Sequence, residues 1–251
     1  MLWSGILPIG DVEFSLPYGY RIPEEKTFAD KGNAVRKFFF DSGFINLLRE
    51  EYGKQGVYYL DIHPYGPVPF MVAKKPIQTV NDFKGLRIRT DGMWMEWENG
   101  CGANGVDIPG DEGYMALKMG TVDAAIWDVS CVTGLSWNEV APYWIHGEEN
   151  DQCIGHIIVN QGVWNSLPDD LKKALAGAAE DYWYACLAAY EKDVAACYDL
   201  VKQGKFTEVW MDKDLIALHE QVGYALWDKV ASRDAAAAKA VQLIKTWRGV
   251  K

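Results

Sequence analysis

Apolar residues recur at three- and four-residue steps from Leu171 through Leu175, Ala178, Tyr182, Cys186, Tyr190, Val194 and Cys197 to Val201, the spacing of one helix face. A cap, an early proline and first-turn acids precede this run in Ser166-Leu167-Pro168-Asp169-Asp170, and Gly204 follows it. The pattern predicts one helix over 168–204, which at ~1.5 Å per residue reaches ~50 Å. A helix of that length crosses more than one structural unit or mediates an oligomer.

Upstream, the period alternates. Residues 28–52 read as two helices split at Ser42-Gly43, and Gly56 to Ile62 and Pro69 to Ala73 are compact β-prone runs. Asp82-Phe83-Lys84-Gly85 is a polar turn leading into the strand Leu86 to Thr90. Trp94 to Asn99 is helical, 106–109 a short strand, Glu112 to Met119 a helix stopped by Gly120, and 122–127 a strand. Past Gly204, 206–211 reads as a strand and 215–243 as one or two helices. Residues 1–25, with Pro8, Pro17 and Pro23, predict irregular segments and short strands. Strands alternating with helices are βαβ grammar, so the class is α/β.

Charge narrows the ligands. Among 251 residues, 25 Lys+Arg face 35 Asp+Glu, a net charge of −10, so there is no basic footprint for nucleic acid. An anionic ligand has to be caught by a few placed cations. Eleven tryptophans and thirteen tyrosines suit either the walls of a small-molecule pocket or an aromatic core. No stretch approaches the ~18 uninterrupted apolar residues of a membrane span. The five cysteines form no CxxC pair, and Cys186 and Cys197 stand roughly 16 Å apart on one helix, so mainly free, buried thiols are expected.

Enzymatic motifs do not surface: there is no G-x-S-x-G, H-E-x-x-H, P-loop or G-x-G-x-x-G. His156 in an apolar run reads as a core histidine, His219 as surface or packing, and Glu148-Glu149-Asn150-Asp151 as a solvated loop. Carboxylate binding is better served. Arg89 closes a strand just before Thr90-Asp91-Gly92, where a rigid fork of donors takes a carboxylate or, equally, a structural salt bridge. Trp127-Asp128 also ends a strand, as an aromatic wall with a polar tip or as a core ring before a turn.

Several ordered segments resemble one family. Asp82-Phe83-Lys84-Gly85-Leu86-Arg87-Ile88-Arg89, Gly102-Ala103, Ile108-Pro109-Gly110-Asp111-Glu112-Gly113-Tyr114-Met115-Ala116-Leu117, Gly120-Thr121-Val122-Asp123-Ala124-Ala125, Val159-Asn160 and Trp164 to Leu171 are similar to the DctP-type solute-binding proteins of TRAP transporters. The resemblance implies a two-lobed, periplasmic-binding-protein-like α/β fold (type II-like) with 168–204 as its lobe-spanning helix. It implies lobe I from 1–66 and 156–200, and lobe II from 67–155 with 201–251. It also implies a periplasmic binding module, not an enzyme, that closes on an organic acid and delivers it to TRAP membrane permease subunits, without a cofactor or metal. By the same resemblance Arg89 pairs with the ligand carboxylate and Trp127 lies at the cleft. A subgroup that binds 2-oxo acids with a cation carries glutamate before that tryptophan; here the residue is Ile126. Asp128, Tyr65 and Tyr18 complete the expected cleft, the two tyrosines being equally suited to packing. An export signal and an opening β-α-β stretch, both usual in the family, are expected to be missing before Met1. The alternatives are a hydrolase or other enzyme on an α/β fold, and a shortened paralogue that binds nothing.

Overall fold

The computed structural model describes residues 5–22, 27–68, 70–147 and 149–250. Its strands form two sheets. β1 (Val57–Pro64) pairs antiparallel with β7 (Ile154–Asn160), with a register shift between Tyr59 and Asp61. β2 (Phe70–Ala73), β3 (Arg87–Arg89), β4 (Asn104–Val106), β5 (Ala124–Trp127), β6 (Tyr143–His146) and β8 (Thr207–Trp210) make the other, in the order β4-β3-β5-β2-β6-β8. β3 is parallel to both β4 and β5, whereas β2 runs antiparallel to β5 and β6. All four residues of β2 are buried: Phe70 and Val72 enter one core, Met71 and Ala73 the other, the two-residue alternation of a strand covered on both faces.

Helices dress these sheets: α1 (Pro8–Ser15), α2 (Phe28–Asp41), α3 (Phe44–Gly53), α4 (Val80–Phe83), α5 (Gly92–Gly100), α6 (Gly113–Met119), α7 (Ser130–Thr133), α8 (Gln161–Ser166), α9 (Asp169–Lys202), α10 (Lys213–Ala231) and α11 (Ala235–Arg248). α3 and α9 pack on β1, and α9 continues to α7 beside the larger sheet. Trp183 and Leu187 of α9 belong to the core around α1–α3, and Cys197 to the core around β2, α6 and α7, so one helix joins both. α11 lies on α1 and α3, while α10 lies on α5.

Four expectations change in three dimensions. Residues 8–15 are helical because Pro8 occupies the first turn, where its fixed φ suits a helix and its missing N–H is not needed; Pro23 lies outside the described residues. The buried side of α9 is Ala179, Trp183, Leu187 and Cys197, whereas Leu171, Leu175 and Tyr182 are exposed. The side that meets β1 and α2 thus begins one residue on from Tyr182, about 100° around the helix. β4 ends at Val106, leaving 107–109 outside any strand, and β6 is a strand that the pattern did not announce.

The fourth concerns the acidic run. Glu149 bonds His146 Nδ1 at 2.7 Å, and Asp151 pairs with Lys31 at 2.6 Å and accepts from the Ile22 N–H. Asn150 is fully buried, accepting from Tyr20 N–H (3.3 Å) and donating to Leu16 O (3.2 Å); Glu148 lies outside the described residues. This segment is the return crossing from β6 to β7, and it zips to the outward crossing from β1 to β2. Asn150 N donates to Val68 O (3.1 Å), Cys153 N to Gly66 O (2.8 Å) and Tyr65 N to Cys153 O (2.9 Å). A solvated loop would need none of these partners; a paired ribbon between two sheets needs all of them.

Replacing Asn150 by Ala strands the Tyr20 N–H in the interior and removes one of two donors to the Leu16 carbonyl, which keeps the Gly19 N–H. The expected cost is roughly 2–3 kcal/mol of unfolding free energy, read as a lower urea midpoint at unchanged slope.

Candidate functional site

The larger sheet ends at the ribbon, and a cavity of about 170 Å³ opens there. β3 and β5 are neighbouring parallel strands, so their C-terminal ends deliver Arg89 and Trp127 to the same edge. That is where open α/β sheets place ligands. The ribbon contributes Tyr65, Val68 and Cys153, α1 contributes Phe14, and the turn into α5 contributes Thr90, Asp91 and Trp94.

Arg89 is held by its surroundings. Its Nε donates to Ile108 O (2.7 Å) and its Nη1 to Ile126 O (2.8 Å), while Nη2 stands 3.4 Å from Asp91 Oδ2. The guanidinium carbon lies 4.5 Å from the centre of the Trp127 ring, a cation–π stack. Burial draws the guanidinium below its ordinary pKa, against the pull of Asp91 and Asp107, and an arginine stays charged regardless. A buried, pre-oriented cation with N–H groups remaining is the chemistry of a carboxylate receptor. Arg87, two residues earlier, is taken by Asp123 at 3.0 and 2.8 Å on the exposed side.

Small residues make room for the rings. A Cβ on Gly110 would meet the Trp127 ring at 2.6 Å, and one on Gly155 would meet Tyr65 Cε2 at 2.5 Å. Tyr65 is steadied edge-on by His63 and Phe14, and burial, followed by Cys153 and Asp128, pushes its phenol up to about 12. Cys153 donates its thiol to Phe14 O (3.0 Å), and burial holds that thiol well above its ordinary pKa. It is therefore a neutral packing group.

The remaining polar groups are less settled. Asp128 is buried, with Oδ1 accepting the Ser130 N–H at 2.8 Å; burial raises its pKa, Ser130 opposes the rise, and Asp193 adds to it. Half-buried Asp91 is likewise raised by burial, with Arg89 opposing. Thr90 and Trp94 line the cavity, and their Oγ1 and Nε1 are buried without a hydrogen-bond partner among the described residues.

Of the expected residues, Arg89, Trp127, Asp128 and Tyr65 meet here. Tyr18 does not: it is 1% exposed, adopts a left-handed φ of 57°, and packs edge-on against Trp97 at 5.0 Å and beside Tyr224. Its proline–glycine neighbourhood makes a tight turn that faces α5 and α10 rather than the cavity. Thr90, Asp91 and Trp94 were not anticipated as walls, although they follow Arg89 in the chain. Phe14 and Cys153 carried no local signal at all.

A carboxylate whose folded pKa lies above its unfolded one binds an extra proton in the native state, so stability falls as pH rises from about 4 through the folded value. Asp128→Asn keeps the Ser130 contact and removes the charge. The empty protein should melt higher at pH 7, by about 2–4 °C for each kcal/mol released, and its melting temperature should vary less with pH over that interval.

Residues 1–234 match the model of DctP, bacterial extracellular solute-binding protein, family 7. A monocarboxylate 2-oxoacid-binding periplasmic protein of Nostoc is 24% identical over 245 residues, covering 93% of this chain; the chain spans 62% of that relative's length. A TRAP periplasmic solute-binding protein of Chromohalobacter salexigens, solved with (S)-(+)-2-amino-1-propanol, superposes with a TM-score of 0.85 at 23% identity, over 97% of this chain and 74% of that one. One from Pseudoalteromonas atlantica, solved with sodium and pyruvate, gives 0.84 at 24% identity, over 98% and 73%. The matched model takes in every segment that builds the cavity, and the chain belongs to the DctP family of bacterial extracellular solute-binding proteins.

Proposed function

We propose that this chain captures a small carboxylate-bearing solute in the Arg89 cleft, in the periplasm, and passes it to the membrane permease subunits of a TRAP transporter. The observation that carries the reading is the fixed guanidinium. Two backbone carbonyls and an indole face orient Arg89 in a cavity of about 170 Å³. A carboxylate supplies acceptors for the N–H groups that Arg89 has left. The monocarboxylate-binding relative in Nostoc and the pyruvate-bound neighbour in Pseudoalteromonas atlantica support the same ligand chemistry. Because cavity walls come from both sides of the ribbon, a ligand bridging them shifts the population toward a closed form. Capture without turnover also suits the cleft, whose thiol is neutral and engaged.

Stabilisation by mass action tests this. At a hundredfold excess over Kd, an organic acid that binds the native state adds about 2.7 kcal/mol, which is roughly 5–10 °C in melting temperature. Arg89→Ala should remove the shift while a cooperative melt persists, and Arg89→Lys should lose most of it, since a single ammonium nitrogen lacks the planar fork that reaches two separated carbonyls and takes a carboxylate bidentately. An Arg89→Ala protein that keeps the parent's shift would sink the assignment.

A further inference from the structure

The cleft carries more negative charge than a receptor for a plain acid needs. Arg89 is the one cation among its lining residues, and Asp91 and Asp128 line the same cavity. Asp91 shares Arg89 at 3.4 Å, but Asp128 has no lysine, arginine or histidine partner among the described residues. Burial already holds Asp128 above the usual carboxylate range, with Asp193 facing it and adding to the effect. A simple anion on Arg89 would bring a third negative charge into this space and leave Asp128 uncompensated as the cleft closes. A buried charge in that position needs a counter-charge.

We propose, building on the function above, that the ligand is a compact zwitterion: its carboxylate lies on Arg89, and Asp128 and Asp91 hold a positively charged nitrogen. The walls fit both ends. Trp94, Trp127, Tyr65 and Phe14 line the cavity, and an aromatic face presented to that space attracts an ammonium group. The volume suits a small solute, since a cavity of about 150 Å³ accommodates a single benzene. The counter-charge is assigned to the ligand rather than to a metal because, among the described residues, no group of three or more His, Cys, Asp or Glu side chains is placed to hold an ion.

Isosteric pairs isolate the nitrogen charge. In calorimetric titrations with EDTA present, glycine betaine should bind at least tenfold tighter than 3,3-dimethylbutanoate, which replaces the charged nitrogen by carbon. Proline should likewise exceed cyclopentanecarboxylate. Asp128→Asn should erase most of that ratio and Asp91→Asn should reduce it; if either variant fails to fold, the ratio in the parent protein decides. Equal or reversed affinities within both pairs overturn the inference, as does carboxylate binding that appears only when sodium or calcium is added. If pyruvate or malonate binds while both zwitterions do not, the inference falls and the carboxylate-receptor reading stands. If no member of either panel binds, that reading falls with it.

Discussion

A permanently charged guanidinium set into the wall of a small cavity is the constraint around which this cleft is arranged. Arg89 cannot shed its proton, so its burial has to be compensated by dipoles and faces that stay in place. Two segments distant from it in sequence supply them: Ile108, beyond β4, gives its carbonyl, and the end of β5 gives the carbonyl of Ile126 and the indole of Trp127. They reach Arg89 because β4 and β5 flank β3 on either side and run parallel to it. The glycine at position 110 then lets the Trp127 ring lie close against the following turn, where a Cβ would stand 2.6 Å from it. Strand order, a backbone turn and one missing side chain thus serve the placement of a single charge.

A second buried charge organises the opposite wall. Glu13 of α1 is fully buried and accepts from Tyr52 Oη (2.5 Å) and Tyr59 Oη (2.6 Å), with His156 Nδ1 at 3.1 Å. Those partners come from α3, β1 and β7, so the carboxylate ties one short helix to three other elements. Burial, then the negative charge of Glu13, pushes both phenols well above their ordinary pKa, which keeps them as donors at any physiological pH. Phe14, the next residue, is thereby held where it forms part of the cavity. The ribbon between the sheets closes the remaining side through Tyr65, Val68 and Cys153. The cleft is therefore rigid on the Arg89 side and backed, on the other, by a network that is itself fully hydrogen-bonded.

What could be read along the chain follows the range of the forces involved. The helix over 168–204 appears as Asp169–Lys202, and the split of 28–52 at Ser42-Gly43 appears as α2 and α3, with Gly43 at a φ of 78°. Caps, glycine stops and local periodicity act over a few residues, so they are visible locally. Asp82 shows this well: it closes a capping box with Thr79 at the start of α4, within the very motif that led to Arg89. The face that α9 buries was misjudged because Leu171, Leu175 and Tyr182 are as apolar as Trp183 and Leu187, and only the position of β1 and α2 decides between them. Likewise, the acids and asparagine of 149–151 look soluble until the ribbon and the turn at residues 16–22 give them partners.

The sequence by itself determined the α/β class, the long helix, and an arginine and a tryptophan–aspartate pair each at a strand end, because those rest on periodicity and turn chemistry; that they share a cleft was implied by the family resemblance of the ordered motifs. Tertiary structure decided which residues share the cavity. It brought in Phe14 and Cys153 from segments with no motif and turned Tyr18 away into the core. It also set Asp91 and Asp128 around the same space as Arg89, a balance of charge that no local pattern encodes. The physical reason is one of distance. Helix and turn signals act between near neighbours in the chain, whereas the energy of a buried charge depends on whatever the fold places a few ångströms away.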